Sequence, residues 1–301
     1  GVDKHARHVE GCCAGAAGFG LIGLGPSQRP ALGYSPQDSI NPDIDNLRVV
    51  YVHDDAMTNG TGPLNTWAEQ NAATNAAVVE ANIDRMACAL AQSTDVTQAW
   101  QTILQKPPGK QWSEVVVALK SNNIAREMQA TRDAVMCKMC TVLIDHIGVT
   151  PSNIHIYDGI HGSNMTLTPW NVPAGVAIEQ RWGGMATNVS IPEPEPGTTR
   201  AVTSVADGTV DILVNMALCK GHSSSFGYFT QCLKNNYGTC RPSCGLSVNA
   251  TDYLFAVNKS ETVLGAMDPG TGRIIFARQQ LCLMDALWAS QGGPTVVPSC
   301  R

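Results

Sequence analysis

The sequence predicts an α/β protein with a mostly parallel sheet flanked by helices, preceded by an extended apolar N-terminal arm. Short β-branched apolar runs recur at Leu47–His53, Val115–Leu119, Ile154–Tyr157 and in the strand that opens at Asp211. These runs alternate little between apolar and polar residues, as strands covered on both faces do. Between the first three lie longer stretches with helical spacing, and strand–helix–strand order implies a right-handed parallel crossover. The arm occupies 1–46 and the α/β domain 47–301.

Taken in order, the Gly/Pro-rich run Gly18–Pro42 precedes Leu47–His53, which reads as a buried strand. Asp54–Pro63 is a loop. From Asn65 to Ser93 the chain is Ala-rich, with Val79, Ile83, Met86 and Leu90 on one helical face, so one long helix or two short ones follow. Val96–Leu104 is a further helix, stopped by Pro107-Pro108-Gly109. The strand Val115–Leu119 delivers Lys120 and Asn122 at its carboxyl end. Arg126–Ile147 is helical again, and Ile154–Tyr157 ends at Asp158-Gly159. Gly183–Gly208, with Pro192-Glu-Pro-Glu-Pro196, reads as a loop or edge excursion outside the core.

Composition limits the functions. With 301 residues and 44% hydrophobic content the chain can bury a large core. A net charge of -5 with no basic run leaves no electrostatic footprint for nucleic acid. The longest apolar stretch, Cys12–Leu24, is too short and too Gly-rich for a membrane span. Gly-x-Ser-x-Gly, His-Glu-x-x-His and Gly-x-x-x-x-Gly-Lys-Ser/Thr are all missing, which argues against the hydrolase, zinc-protease and P-loop chemistries that those patterns serve.

Two constellations carry chemistry. In a parallel sheet, ligands gather at the carboxyl ends of the strands, and Lys120, Asn122, Asp158, Lys220 and His222 all fall there, with Lys234 and Asp285 nearby. Such a cluster can bind an anionic group, or let His222 act as acid or base beside lysines that disfavour its charged form. It can equally be a set of buried ion pairs that fix the loops. The second constellation is drawn from eleven cysteines, many for a cytosolic protein of this size. Cys137-Lys-Met-Cys140 lies in a helical pattern and Cys240-Arg-Pro-Ser-Cys244 on a turn. Four thiolates from these pairs can hold zinc or an iron-sulfur cluster, whereas an oxidising compartment would turn most of the cysteines into disulfides.

Asp211–Pro242, with Lys220-Gly-His222 followed by Lys234-Asn-Asn-Tyr-Gly238, resembles the family called domain of unknown function 362. Ala99-Trp100 through Lys120-Ser-Asn122 is similar to that family's opening, and Leu281–Pro294 to its closing strand, so the resemblance covers roughly Val49–Pro294. It implies an α/β fold and a lysine- and histidine-bearing turn, without an activity. His5–Gly25 resembles part of a twin-arginine export signal, which implies a periplasmic or extracellular location.

Three functions follow as expectations. The first is an exported cysteine-rich protein that binds an iron-sulfur cluster or other metal through Cys137, Cys140, Cys240 and Cys244 and passes electrons to a redox partner. The second is a disulfide-stabilised subunit of an extracellular filament, self-associating through Gly11–Gly25. The third is an enzyme acting on an anionic metabolite through Lys120, Lys220, His222, Lys234 and Asp158.

Overall fold

The computed structural model describes residues 7–8, 18–22, 48–60, 64, 66–123, 130–159, 167–221, 229–241 and 250–288. Strands β1 (Arg7–His8), β2 (Gly18–Ile22) and β3 (Val49–His53) form a three-stranded antiparallel sheet. β3 is the strand expected there, but it is not buried: Val49 and Tyr51 are exposed, and burial alternates along it.

Helices α1 (Trp67–Ala72) and α2 (Ala76–Ala91) follow, so the Ala-rich stretch makes two helices. α1 starts at a capping box in which Thr66 and Glu69 satisfy each other's backbone N–H. α2 stops at Gln92, whose φ of 55° places it in the left-handed region that ends helices. α3 (Val96–Ile103) is capped by Asp95, which accepts from the Gln98 N–H at 2.6 Å.

The main sheet begins with β4 (Val117–Lys120). α4 (Asp133–Thr141) continues as a π-helical segment, Val142–Ile147, and leads to β5 (Ile154–Asp158) and β6 (Ala177–Gln180). Gly183–Gly208 is not a plain loop. It contains an antiparallel hairpin of β7 (Thr187–Ile191) and β8 (Gly197–Ala201), with the Pro-Glu-Pro-Glu-Pro run as its turn. Helix α5 (Thr203–Ala206) comes next, and Ala201, Val202 and Val205 of this region are core residues. The apolar residues of the region overrode its prolines, which occupy only the connection.

β9 (Ile212–Leu218) runs into β10 (Lys220–Gly221), which pairs with β11 (Phe229–Thr230). α6 (Cys232–Asn235), α7 (Ala250–Lys259), α8 (Glu261–Leu264) and β12 (Gln279–Asp285) complete the described chain. The five-stranded sheet has the order β12-β9-β4-β5-β6, and all of its pairings are parallel. This is an α/β fold.

Alternate residues of each strand point to opposite faces, and each face has its own core. Val117, Leu119, Ile154, Ile156, Ile212, Val214 and Met216 pack with α2, α3 and α4. Ala118, Tyr157 and Leu213 pack with the β7–β8 hairpin, α5, α7 and α8. Both faces are covered, which is why β4 and β9 read as continuous apolar runs.

Candidate anion site at the carboxyl edge

The central strands end side by side, so the residues after them meet. Lys120 closes β4 on the face opposite Leu119 and is 1% exposed. Its Nζ lies 3.0 Å from Asp158 Oδ1 at the end of β5, and donates to the Ser121 carbonyl and to Asn235 Oδ1 at 2.6 and 3.2 Å. Burial pulls the Lys120 ammonium below its ordinary range, against the opposing pull of Asp158. The second carboxylate oxygen of Asp158 accepts from the Asn123 N–H at 3.0 Å.

Asn235 is saturated. Its amide donates to the Lys120 carbonyl at 3.0 Å and to Asn215 Oδ1 at 2.8 Å, and its carbonyl accepts from Lys120 and from Asn122. Asn122 in turn accepts from Lys220 Nζ at 3.0 Å. A chain of asparagines thus links β4, β9 and α6, and holds two lysines in place.

Gly238 closes the floor. A Cβ at this position would lie 1.9 Å from Asp158 Oδ1 and 2.5 Å from Lys120 Nζ, so only glycine lets the turn approach the ion pair. The carbonyl of Gly238 accepts from the Gly159 N–H at 2.7 Å, binding this turn to the end of β5.

Lys220 is nearly buried, and its ammonium is brought down to about 7. Desolvation is the main cause, the charges of Lys234 and Lys120 add to it, and Asp158 opposes it. Lys234 is lowered to about 8 by burial, and its ammonium lies 5.9 Å from the centroid of the Tyr237 ring. Lys120 and Lys220 therefore both feel Asp158, Lys234 adds its charge beside Lys220, and burial holds the Lys220 and Lys234 ammoniums well below their ordinary range. The arrangement can neutralise an anion, and it can supply or take up a proton at Lys220.

The structure brings together Lys120, Asp158, Lys220 and Lys234; His222 lies outside the described residues. Asp285 turns the other way, its carboxylate accepting from the backbone of Arg132 and of Leu287. Asn215 and Arg132 are buried polar residues that lie outside both constellations read from the sequence, whereas Asn235 belongs to the Lys234-Asn-Asn-Tyr-Gly238 motif. An asparagine interrupting the apolar strand Ile212–Leu218 was the available signal for the first. Arg132, at the start of α4, is fully buried and donates to the Ala130 carbonyl and to Gln70.

The expected cysteine tetrad is not gathered among the described residues. Cys140 is buried with α2–α4 on one face of the sheet, and Cys240 is buried on the other. Cys137 stands half-buried beside Cys140, and Cys244 lies outside the described residues. Burial raises the thiols of Cys137, Cys140 and Cys240, the last to about 12, which keeps them protonated. Among the described residues no group of three or more His, Cys, Asp or Glu is placed to hold a metal ion, and no helix is long and apolar enough to cross a membrane.

Fold and site together define the class: an α/β protein with a lysine–asparagine cluster at the carboxyl edge of a parallel sheet. No family model and no curated protein matches this chain.

Proposed function

We propose that this protein binds an anionic small metabolite at the carboxyl edge of its sheet and transforms it with Lys220 as the proton-transferring group. The observation that carries the reading is the placement of Lys220 where Lys120, Lys234 and Asp158 all act on its ammonium. A bound carboxylate or phosphate offsets the mutual repulsion of these lysines, raises the proton affinity of Lys220 and gains charge-assisted hydrogen bonds. Asn122 orients the Lys220 amine. Lys120, locked against Asp158, is a positioning residue whose ammonium fixes Asn235 and the end of β4.

The residues behind the sequence resemblance support the same reading. Lys120 and Asn122, Lys220, and Lys234-Asn235 with Gly238 are far apart in the chain and meet at this edge.

The test is calorimetric titration of the protein with inorganic phosphate and with small dicarboxylates. Replacement of Lys220 by Met removes a charged hydrogen-bond donor valued at about 1.5–3 kcal/mol, so binding weakens by roughly 10- to 100-fold. Equal affinity in the wild type and in Lys220→Met would refute the proposal.

A further inference from the structure

A second group of reactive side chains lies beside the lysine cluster and belongs to neither the site nor the core. Cys232 opens α6, and Cys282 lies in the middle of β12. β12 runs parallel to β9 with Cys282 opposite Asn215, and the Asn215 amide donates to the Cys232 carbonyl at 2.9 Å. One asparagine of β9 therefore anchors the start of α6 next to Cys282, and the two thiols are hydrogen-bonded to each other.

Their surroundings differ in a useful way. Cys282 is exposed on the edge strand, while Cys232 is half-buried. Both cysteines line an open apolar pocket of about 790 Å³ between β3, α2, α3 and β12. The hydrogen bond with Cys232 holds the Cys282 thiol below its usual range, and Cys232 is pushed well above it. The more exposed thiol, Cys282, can be reached from solvent, and its partner Cys232 stands half-buried beside it, which is the layout of an attacking and a resolving cysteine. Cys219 stands close by and is bonded to Gln231, but burial raises its thiol.

We propose that Cys282 and Cys232 form a redox-active dithiol that is oxidised by low-molecular-weight disulfides. The Cys282 thiolate attacks one sulfur of the small disulfide, breaking its S–S bond and releasing one small thiolate. Cys232 then loses its proton and attacks the Cys282 sulfur of the mixed disulfide, expelling the second small thiolate. Both protein thiols are oxidised to one disulfide, the small disulfide is reduced to two thiols, and the two protons of the cysteines end on those thiols. The bond joins α6 to β12, and Lys234 is two positions beyond the tethered residue.

The experiment uses the full chain, reduced and then exposed to oxidised glutathione, with remaining thiols alkylated and peptides mapped without reduction. The expected result is a Cys232–Cys282 cross-linked peptide, with Cys282→Ser yielding no adduct at this pair and Cys232→Ser stopping at glutathione bound to Cys282. The wild-type map decides the matter even if a variant does not fold. Glutathione retained on Cys282 in the wild type, a Cys219–Cys232 cross-link, or no reaction at the pair would each overturn the proposal.

Discussion

The two faces of the five-stranded sheet are made from alternate residues of the same strands, yet they do different work. On one face Val117, Leu119, Ile154, Ile156, Ile212 and Val214 form an apolar core with side chains of α2, α3 and α4. On the other, Ala118 and Leu213 begin an apolar core, but the carboxyl half carries Lys120 and Asn215, buried and hydrogen-bonded to α6. Leu119 and Lys120 are neighbours in the chain and belong to opposite worlds. A strand covered on both sides can therefore stabilise the fold and build a site within one residue, provided every polar atom on the site face finds a partner.

Substituting each of the two neighbours separates the two faces. Lys120→Met leaves the Asp158 carboxylate buried without its ion-pair partner, and the expected loss is about 3–5 kcal/mol in denaturant unfolding. Adding Asp158→Asn recovers much of it, since the orphaned charge is gone. Leu119→Ala costs about 2–5 kcal/mol through a cavity on the other face, while phosphate affinity stays at the wild-type value wherever the protein is folded. A Lys120→Met protein as stable as wild type would mean that the two faces are not distinct in kind.

A smaller effect sharpens the account of Lys220. Its ammonium is lowered from 10.5 to about 7 in the folded chain, so between those values the unfolded chain holds a proton that the folded chain has released. Stability contributed by this residue therefore rises with pH across that window and is lowest below about pH 7. Phosphate binding has the opposite slope and weakens as pH rises through about 7, because the anion favours the charged amine. Lys220→Met should flatten both dependences, read by unfolding and by titration over a pH series. The smallest effect is expected away from the site. Lys110 pairs with Asp211 at 2.7 Å while substantially exposed, and Lys110→Ala should cost no more than about 1 kcal/mol.

Much of this was legible in the residues. Parallel strands place their carboxyl ends at one edge, so the order of strands alone puts Lys120, Asp158 and Lys220 in a common region. Partnership was not legible: nothing in the spacing of Lys234-Asn235 says that the asparagine, rather than the lysine, holds Lys120. The Pro-rich stretch misled because proline reports only that a connection turns, while the Thr- and Val-bearing segments on either side pair as β7 and β8. Leu47–His53 misled in the other direction: β-branched composition signals a strand but not what covers it, and Tyr51 is exposed. β6 went unnoticed because a short edge strand carrying Glu179 and Gln180 has no apolar run to mark it. For the cysteines, spacing along the chain cannot reveal which side of a sheet a thiol will occupy, and Cys140 and Cys240 are divided on that ground.

The bond between Lys120 and Asn235 spans 115 positions, and that between Lys220 and Asn122 spans 98. Loops of such length close slowly, because their entropy is lost before the contacts they permit are gained. During synthesis, β4 waits for a partner on one side until β9 has emerged, and its lysine waits longer still for α6. The chemistry of the edge is thereby withheld from every incomplete chain, and recovery of phosphate affinity after dilution from denaturant would time the last act of folding.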